Sequence, residues 1–227
     1  MEIIRQLLIT PAFWVGVISV LSTLIVCLIT ISNTRRNHKE LMISKQREER
    51  RKEIYKQLND FYGPFQLYLN TSKELFNVLS NNKPENFRTL TYLINRNQEY
   101  MVNGNKVTIQ LDNTEEIILD QIVQMGDNMS VLIIEKAGLI DNVKLRYNYT
   151  SNPQYTDVEI SKNGLLAFAN AHFLFMKLAR LEKLGNNASK FSTYVFPREL
   201  PDVIETEIQK LKKELEELNM IGDGKKI

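Results

Sequence analysis

The run from Pro11 to Ser32 (PAFWVGVISVLSTLIVCLITIS) constrains this chain more than any other stretch, because its 22 residues carry no charge and only small hydroxyl side chains interrupt it. A helix needs about 20 apolar residues to cross roughly 30 Å of hydrocarbon, so the run is expected to be a transmembrane helix. A cleaved signal peptide fits less well. The residues before the run are weakly charged, the apolar part is long, no A-x-A site follows, and basic residues come directly after it.

Gly16, Ser19, Thr23, Cys27, Thr30 and Thr34 recur at spacings of three and four and share one helical face, with Ile18, Leu21, Ile25 and Leu28 on the other side. In lipid, small and hydroxyl residues let helices approach closely, so this stripe is a candidate for helix packing or for lining a pore. The competing expectation is that the hydroxyls bond back to their own helix, with no partner needed.

Charge sets the expected orientation. Residues 1–56 hold ten Lys/Arg against five Asp/Glu, and the remainder nineteen against twenty-two. Arg35, Arg36, Lys39, Lys45, Arg47, Arg50, Arg51, Lys52 and Lys56 follow the apolar run, whereas only Arg5 precedes it. The positive-inside bias then predicts an N-terminus outside and a C-terminal domain in the cytoplasm of a cell with an inner membrane. The single cysteine, Cys27, lies within the apolar run, so no disulfide framework exists. The Asn-x-Ser/Thr triplets at Asn70, Asn128, Asn148 and Asn187 reflect an Asn-rich composition with this topology.

The expected fold class is all-α: a transmembrane anchor (1–33), a basic juxtamembrane helical stem (34–62), a cytoplasmic helical bundle (63–220) and a flexible tail (221–227). Ser44 to Glu53 (SKQREERRKE) has no apolar residue, and a helix polar all round must be solvated or bridging. Arg35, Arg36, Lys39, Lys45, Arg47, Arg50, Arg51 and Lys52 are candidates for lipid head-group contact, each worth about 1 kcal/mol near an anionic surface. Nucleic acid is disfavoured as a partner, since no aromatics interleave and acids dilute the run.

Ile54, Leu58, Phe61, Phe65 and Leu69 return to helical spacing, and Gly63-Pro64 should kink or restart the helix between them. A basic stem after one N-terminal membrane helix, followed by a turn such as KQLNDFYGPF, resembles small bacterial single-pass membrane proteins. In overall plan it is also similar to the membrane accessory proteins encoded beside some RNA-targeting CRISPR nucleases. The resemblance spans Met1 to about Leu69 and is architectural. It implies a helical, oligomeric, membrane-bound protein of antiviral defence related to the HEPN fold. Nuclease members of that fold carry Arg, four to six residues, then His. Here Arg35 and Arg36 stand too close before His38, and Leu165, Leu166 and Ala167 stand where an Arg would precede His172. A HEPN-like ribonuclease is therefore disfavoured. It would need His172 together with a spatially close Arg146 or Arg180.

Further along, residues 81–86 (NNKPEN) read as a turn and Phe87 to about Tyr100 as a helix. Residues 101–107 (MVNGNKV) form a loop or small ribbon, because Asn-Gly favours hairpin turns. Asp112 to Thr114 should cap a helix reaching Gly138, with Gly126 a candidate break and the Met-rich stripe a core face. Residues 141–160 lack a period, so Arg146, Tyr147, Tyr149 and Tyr155 form a weak candidate recognition loop. Leu165 to Leu184 is the most apolar soluble segment and the expected central helix, closed by Gly185. It carries His172 among aromatics, most simply a core residue. Phe191 to Pro201 reads as an aromatic plug before a last helix whose Ile204, Ile208, Leu211, Leu215 and Leu218 form a docking face or a short coiled-coil seam.

No Gly-rich phosphate loop, nucleophile elbow, paired-carboxylate motif or Cys/His metal set appears, so no catalytic residue, metal or cofactor is assigned. The expected partners are membrane lipid, further copies of the chain and a cytoplasmic protein. The leading expectation is a self-associating membrane effector or accessory of antiviral defence, and the alternative is an anchored adaptor that tethers a soluble partner.

Overall fold

A computed structural model describes residues 11–96, 99–102, 104–146, 164–184, 188 and 190–223, and these are predominantly helical. Packing divides the chain into two units between Lys52 and Glu53. Helix α1 (Pro11–Gln57) runs through that division.

In the first unit the apolar part of α1 is exposed among the described residues. Its most apolar 18-residue window has a mean hydropathy of 2.5, and none of it is buried. Val15, Ile18, Leu21, Leu24, Ile25, Leu28 and Ile29 are all more than half exposed.

The second unit is built from helices α2 (Gly63–Ser80), α3 (Thr89–Ile94), α4 (Asn113–Glu135), α5 (Val143–Arg146), α6 (Leu165–Arg180) and α7 (Leu200–Asp223), with a hairpin between α3 and α4. Helix α4 packs against both α2 and α6, and this trio forms the centre. Two clusters of buried side chains lie along it. One gathers Phe61, Phe65, Leu145, Leu165, Phe173 and Ile204, and the other Leu79, Phe87, Leu90, Tyr92, Leu119 and Met176. Burying one such side chain fully stabilises by about 1.5–3 kcal/mol, which is why the apolar periods of α2, α4 and α6 fix the fold.

The expected interruption at Gly63-Pro64 is absorbed by a single π turn, Leu58–Tyr62, and the backbone stays helical throughout. Pro64 has no N–H to donate, and the wider turn lets the Gly63 N–H reach Leu58 O. A Cβ on Gly63 would lie 2.8 Å from that carbonyl oxygen, so the turn requires glycine. The turn drives Phe61 and Tyr62 into the core, with Phe61 stacked on Phe65 at 5.3 Å between ring centroids.

Helix α4 begins on a complete capping box. Asp112 Oδ1 accepts from Glu115 N at 2.8 Å, and Glu115 Oε2 accepts from Asp112 N at 3.0 Å. Gly126 does not break the helix. It lies under Phe173 of α6, whose Cδ1 stands 3.0 Å from where a Cβ would be, so the glycine serves close helix approach. By length and composition α4 would also pass as a membrane span, with a window hydropathy of 1.3. However, Leu119, Ile122, Val123, Met129 and Ile133 turn inward as a core stripe.

The helix expected to reach Tyr100 ends instead at Ile94, after which Glu99–Val102 (β1) pairs antiparallel with Asn105–Thr108 (β2). Gly104 adopts φ +82° in the connection, the conformation that Asn-Gly turns supply. Tyr100 is 2% exposed and seats the ribbon on the second cluster, which offsets the marginal stability of an isolated hairpin. In α7, Ile204, Ile208 and Leu211 are buried while Leu215 and Leu218 are only partly so, the pattern of a docking face. The helix continues to Asp223, and 224–227 lie outside the described residues.

Candidate functional site

Three places in the described residues combine position with chemistry. The first is the small-residue face of α1. The unbroken helix brings Gly16, Ser19, Thr23, Cys27, Thr30 and Thr34 onto one face, all exposed. Three hydroxyls on it are already satisfied locally. Thr23 donates to Ser19 O, Thr30 to Val26 O and Thr34 to Thr30 O, each at 2.8 Å. Each of these Thr hydroxyls has spent its donor within the helix and keeps its oxygen lone pairs and methyl group on the exposed face.

The basic run follows on the same helix. Arg35, Arg36, Lys39, Lys45 and Lys52 are exposed, and Arg47, Arg50 and Arg51 are half-buried. Two local pairs dilute it: Arg36 with Glu40 at 3.4 Å and Lys52 with Glu48 at 2.7 Å. The Lys52 bond holds the Glu48 carboxyl below its ordinary range. Pairs this exposed are largely screened by water and salt, so they leave the run net positive.

Of the candidate recognition loop, Arg146 lies at the end of α5 with Nη1 donating to Ile140 O at 3.3 Å, while Tyr147, Tyr149 and Tyr155 lie outside the described residues. Gly164 N donates to Arg146 O at 3.1 Å, so the two ends of the excursion are tied together.

The third place is a pocket of about 390 Å³ in the second unit, which sequence reading does not single out. Its buried wall is Leu69, Leu90, Ile122, Met129, Phe173 and Met176, and its exposed rim includes Lys73, Val195 and Arg198. The expected aromatic plug is present, and Phe196 forms part of this wall by packing on His172 and Phe173 at centroid separations of 5.8 and 5.9 Å. Three cations and no carboxylate stand among its nineteen lining residues. The lining side chains themselves therefore carry net positive charge, although acids and bases nearly balance over the chain.

His172 lines the pocket and is 8% exposed. Its Nδ1 lies 2.7 Å from Tyr194 O. A carbonyl can only accept, so Nδ1 carries the proton and Nε2 is left as an acceptor. Burial pushes its pKa down to about 4 against the opposing effect of the Tyr194 bond, so the ring is neutral at physiological pH. Arg180 cannot act with it. Eight residues further along α6 place it about 12 Å away along the helix axis. It is also engaged by Asp120 at 2.6 Å and by Glu116, which hold its pKa above the ordinary value.

Polar contacts elsewhere lock the elements that shape the pocket. Lys177 bonds both carboxylate oxygens of Asp127, at 2.7 and 2.8 Å, and Ser130 bonds Asn170, joining α4 to α6. At the other end, Gln57 Nε2 donates to Asp141 Oδ2 at 2.7 Å and Asn142 Nδ2 donates to Glu207 Oε1 at 2.8 Å. Burial, followed by Glu207 and Asp141, pushes the nearby Tyr62 phenol well above its ordinary pKa. Among the described residues no three His, Cys, Asp or Glu side chains are grouped to hold a metal ion.

Compared with protein-family models, with curated proteins and with solved structures, the chain matches none.

Proposed function

We propose that the chain is a single-pass membrane protein whose helical domain works at the cytoplasmic face of an inner membrane. Copies associate through the small-residue face of α1, and the assembly acts as an effector or accessory of antiviral defence, as the architectural resemblance implies. The observation that carries this reading is the apolar window of α1, of which none is buried although its mean hydropathy is 2.5. Exposed apolar surface on that scale needs a cover, and a bilayer is the cover whose thickness fits the length. The cations that follow it support cytoplasmic placement of the domain. Triple replacement of Ser19, Thr23 and Cys27 by Leu should abolish cross-linked oligomers in membranes. Unchanged oligomers would remove the association from the proposal.

A second reading, an anchored adaptor without self-association, draws support from the three Thr hydroxyls that bond within their own helix. An unrelated apolar anchor in place of residues 11–32 should preserve the activity of an adaptor and destroy that of an assembly built on α1.

A further inference from the structure

We propose that the 390 Å³ pocket of the helical domain is a binding site for a small amphipathic organic anion, an apolar body bearing one carboxylate or phosphate group. The volume is at the small end of the range for small-molecule sites, about 300–1,000 Å³. Such sites are mostly apolar with a few convergent polar groups, and this one follows that plan. The buried part of the wall is Leu, Ile, Met and Phe, and the polar groups differ in depth.

Two observations select an anion. Lys73, Arg88 and Arg198 are among the lining residues and no acidic side chain is, which favours an anionic head over a cationic one. Arg88 is also held in place. Its Nη1 donates to Phe87 O at 2.8 Å and to Glu85 O at 3.2 Å, while its other guanidinium nitrogens have no partner among the described residues. Lys73 Nζ likewise has none among them. A guanidinium with its orientation fixed and donors to spare presents the fork that suits carboxylate and phosphate oxygens.

A third observation places a polar contact at depth. His172 is more than nine-tenths buried, its Nδ1 is committed to Tyr194 O, and its Nε2 has no partner among the described residues. A ligand hydroxyl or N–H that reached this acceptor would replace the water open to it. The favoured ligand therefore has its anionic group at the rim and its apolar body against the buried wall. The site is independent of the bilayer reading, since every residue in it belongs to the second unit.

The test uses the full chain in nanodiscs of zwitterionic lipid, with empty nanodiscs subtracted, titrated calorimetrically with naphthoate and with its uncharged amide, naphthamide. Decanoate serves as a competitor that distinguishes an alkyl from an aromatic body. We expect saturable binding of one naphthoate per chain, tighter than naphthamide by about fivefold or more, the size of a single partly exposed charge contact. Lys73→Glu should weaken naphthoate by a similar factor and leave naphthamide unchanged. Val195→Trp, which fills the opening from an exposed position, should weaken both, while Lys212→Glu on the far part of α7 should change neither. Equal affinity for acid and amide, no saturable binding, or naphthoate binding indifferent to both Lys73→Glu and Val195→Trp would overturn the proposal.

Discussion

The apolar stretch of α1 and helix α6 are both rich in apolar side chains but have opposite surroundings. In α6 Leu165, Leu166, Ala169, Phe173, Met176 and Ala179 are buried against α4 and its neighbours, whereas the α1 window has no buried residue. Their hydroxyl and polar groups differ in the same way. On α1, Thr hydroxyls bond to the carbonyl four residues back, while on α6 the polar side chains reach across to α4. Apolar content alone does not decide where a helix belongs. What distinguishes the two is whether neighbouring elements cover each helix, and among the described residues the α1 window has no buried residue.

That contrast can be broken most strongly by charging the uncovered helix. Leu21→Arg together with Ile25→Arg should strip the protein from membranes, because each Arg at the centre of a span costs about 2.5–3.5 kcal/mol. Membrane fractionation reads the effect, and the circular-dichroism melt of the helical domain should be unmoved. Next in size, Leu165→Ala should lower the stability of the domain by about 2–5 kcal/mol, since Leu165 is fully buried. Leu24→Ala, on the exposed apolar face of α1, should leave the same melting transition in place. A shift as large for Leu24 as for Leu165 would show that α1 is covered by protein after all.

A smaller effect comes from His172. Its folded pKa of about 4 lies below the ordinary 6.5, so the unfolded chain takes up a proton that the folded chain refuses. The stability it allows is complete above about pH 6.5 and declines as the pH falls toward 4, by about 2 kcal/mol between pH 7 and pH 5. His172→Gln should flatten that part of the pH profile in denaturant titrations. The smallest effect should be that of Lys177→Ala, whose half-exposed pair with Asp127 is worth up to about 1 kcal/mol.

How much of this was legible in the sequence follows from the range of the interactions involved. The uncharged run, the capping box at Asp112 and the Asn-Gly hairpin depend on neighbours within a few residues, and each is recognisable from local pattern. The end of α3 at Ile94 was less so. Tyr100 continues the apolar sequence, but its burial comes from pairing in a ribbon that seats on the second cluster. Gly126 reads as a helix breaker on propensity, and only contact with Phe173, 47 positions away, turns it into a packing site. The pocket was illegible for the same reason. Lys73, Arg88, His172 and Arg198 come from four separated segments, and no local motif links them. The basic run shows the reverse case, a conspicuous pattern in sequence of which the structure shows two short-range pairs, Arg36 with Glu40 and Lys52 with Glu48.

In the proposed arrangement α1 crosses a bilayer and the helical domain lies on the cytoplasmic side. Protease digestion of spheroplasts and of inverted inner-membrane vesicles, each after carbonate washing, tests it most directly. The protein should stay in the carbonate-resistant pellet, with its domain protected in spheroplasts but digested in inverted vesicles. Release into the carbonate supernatant, or digestion of the domain from the outside of spheroplasts, would contradict it.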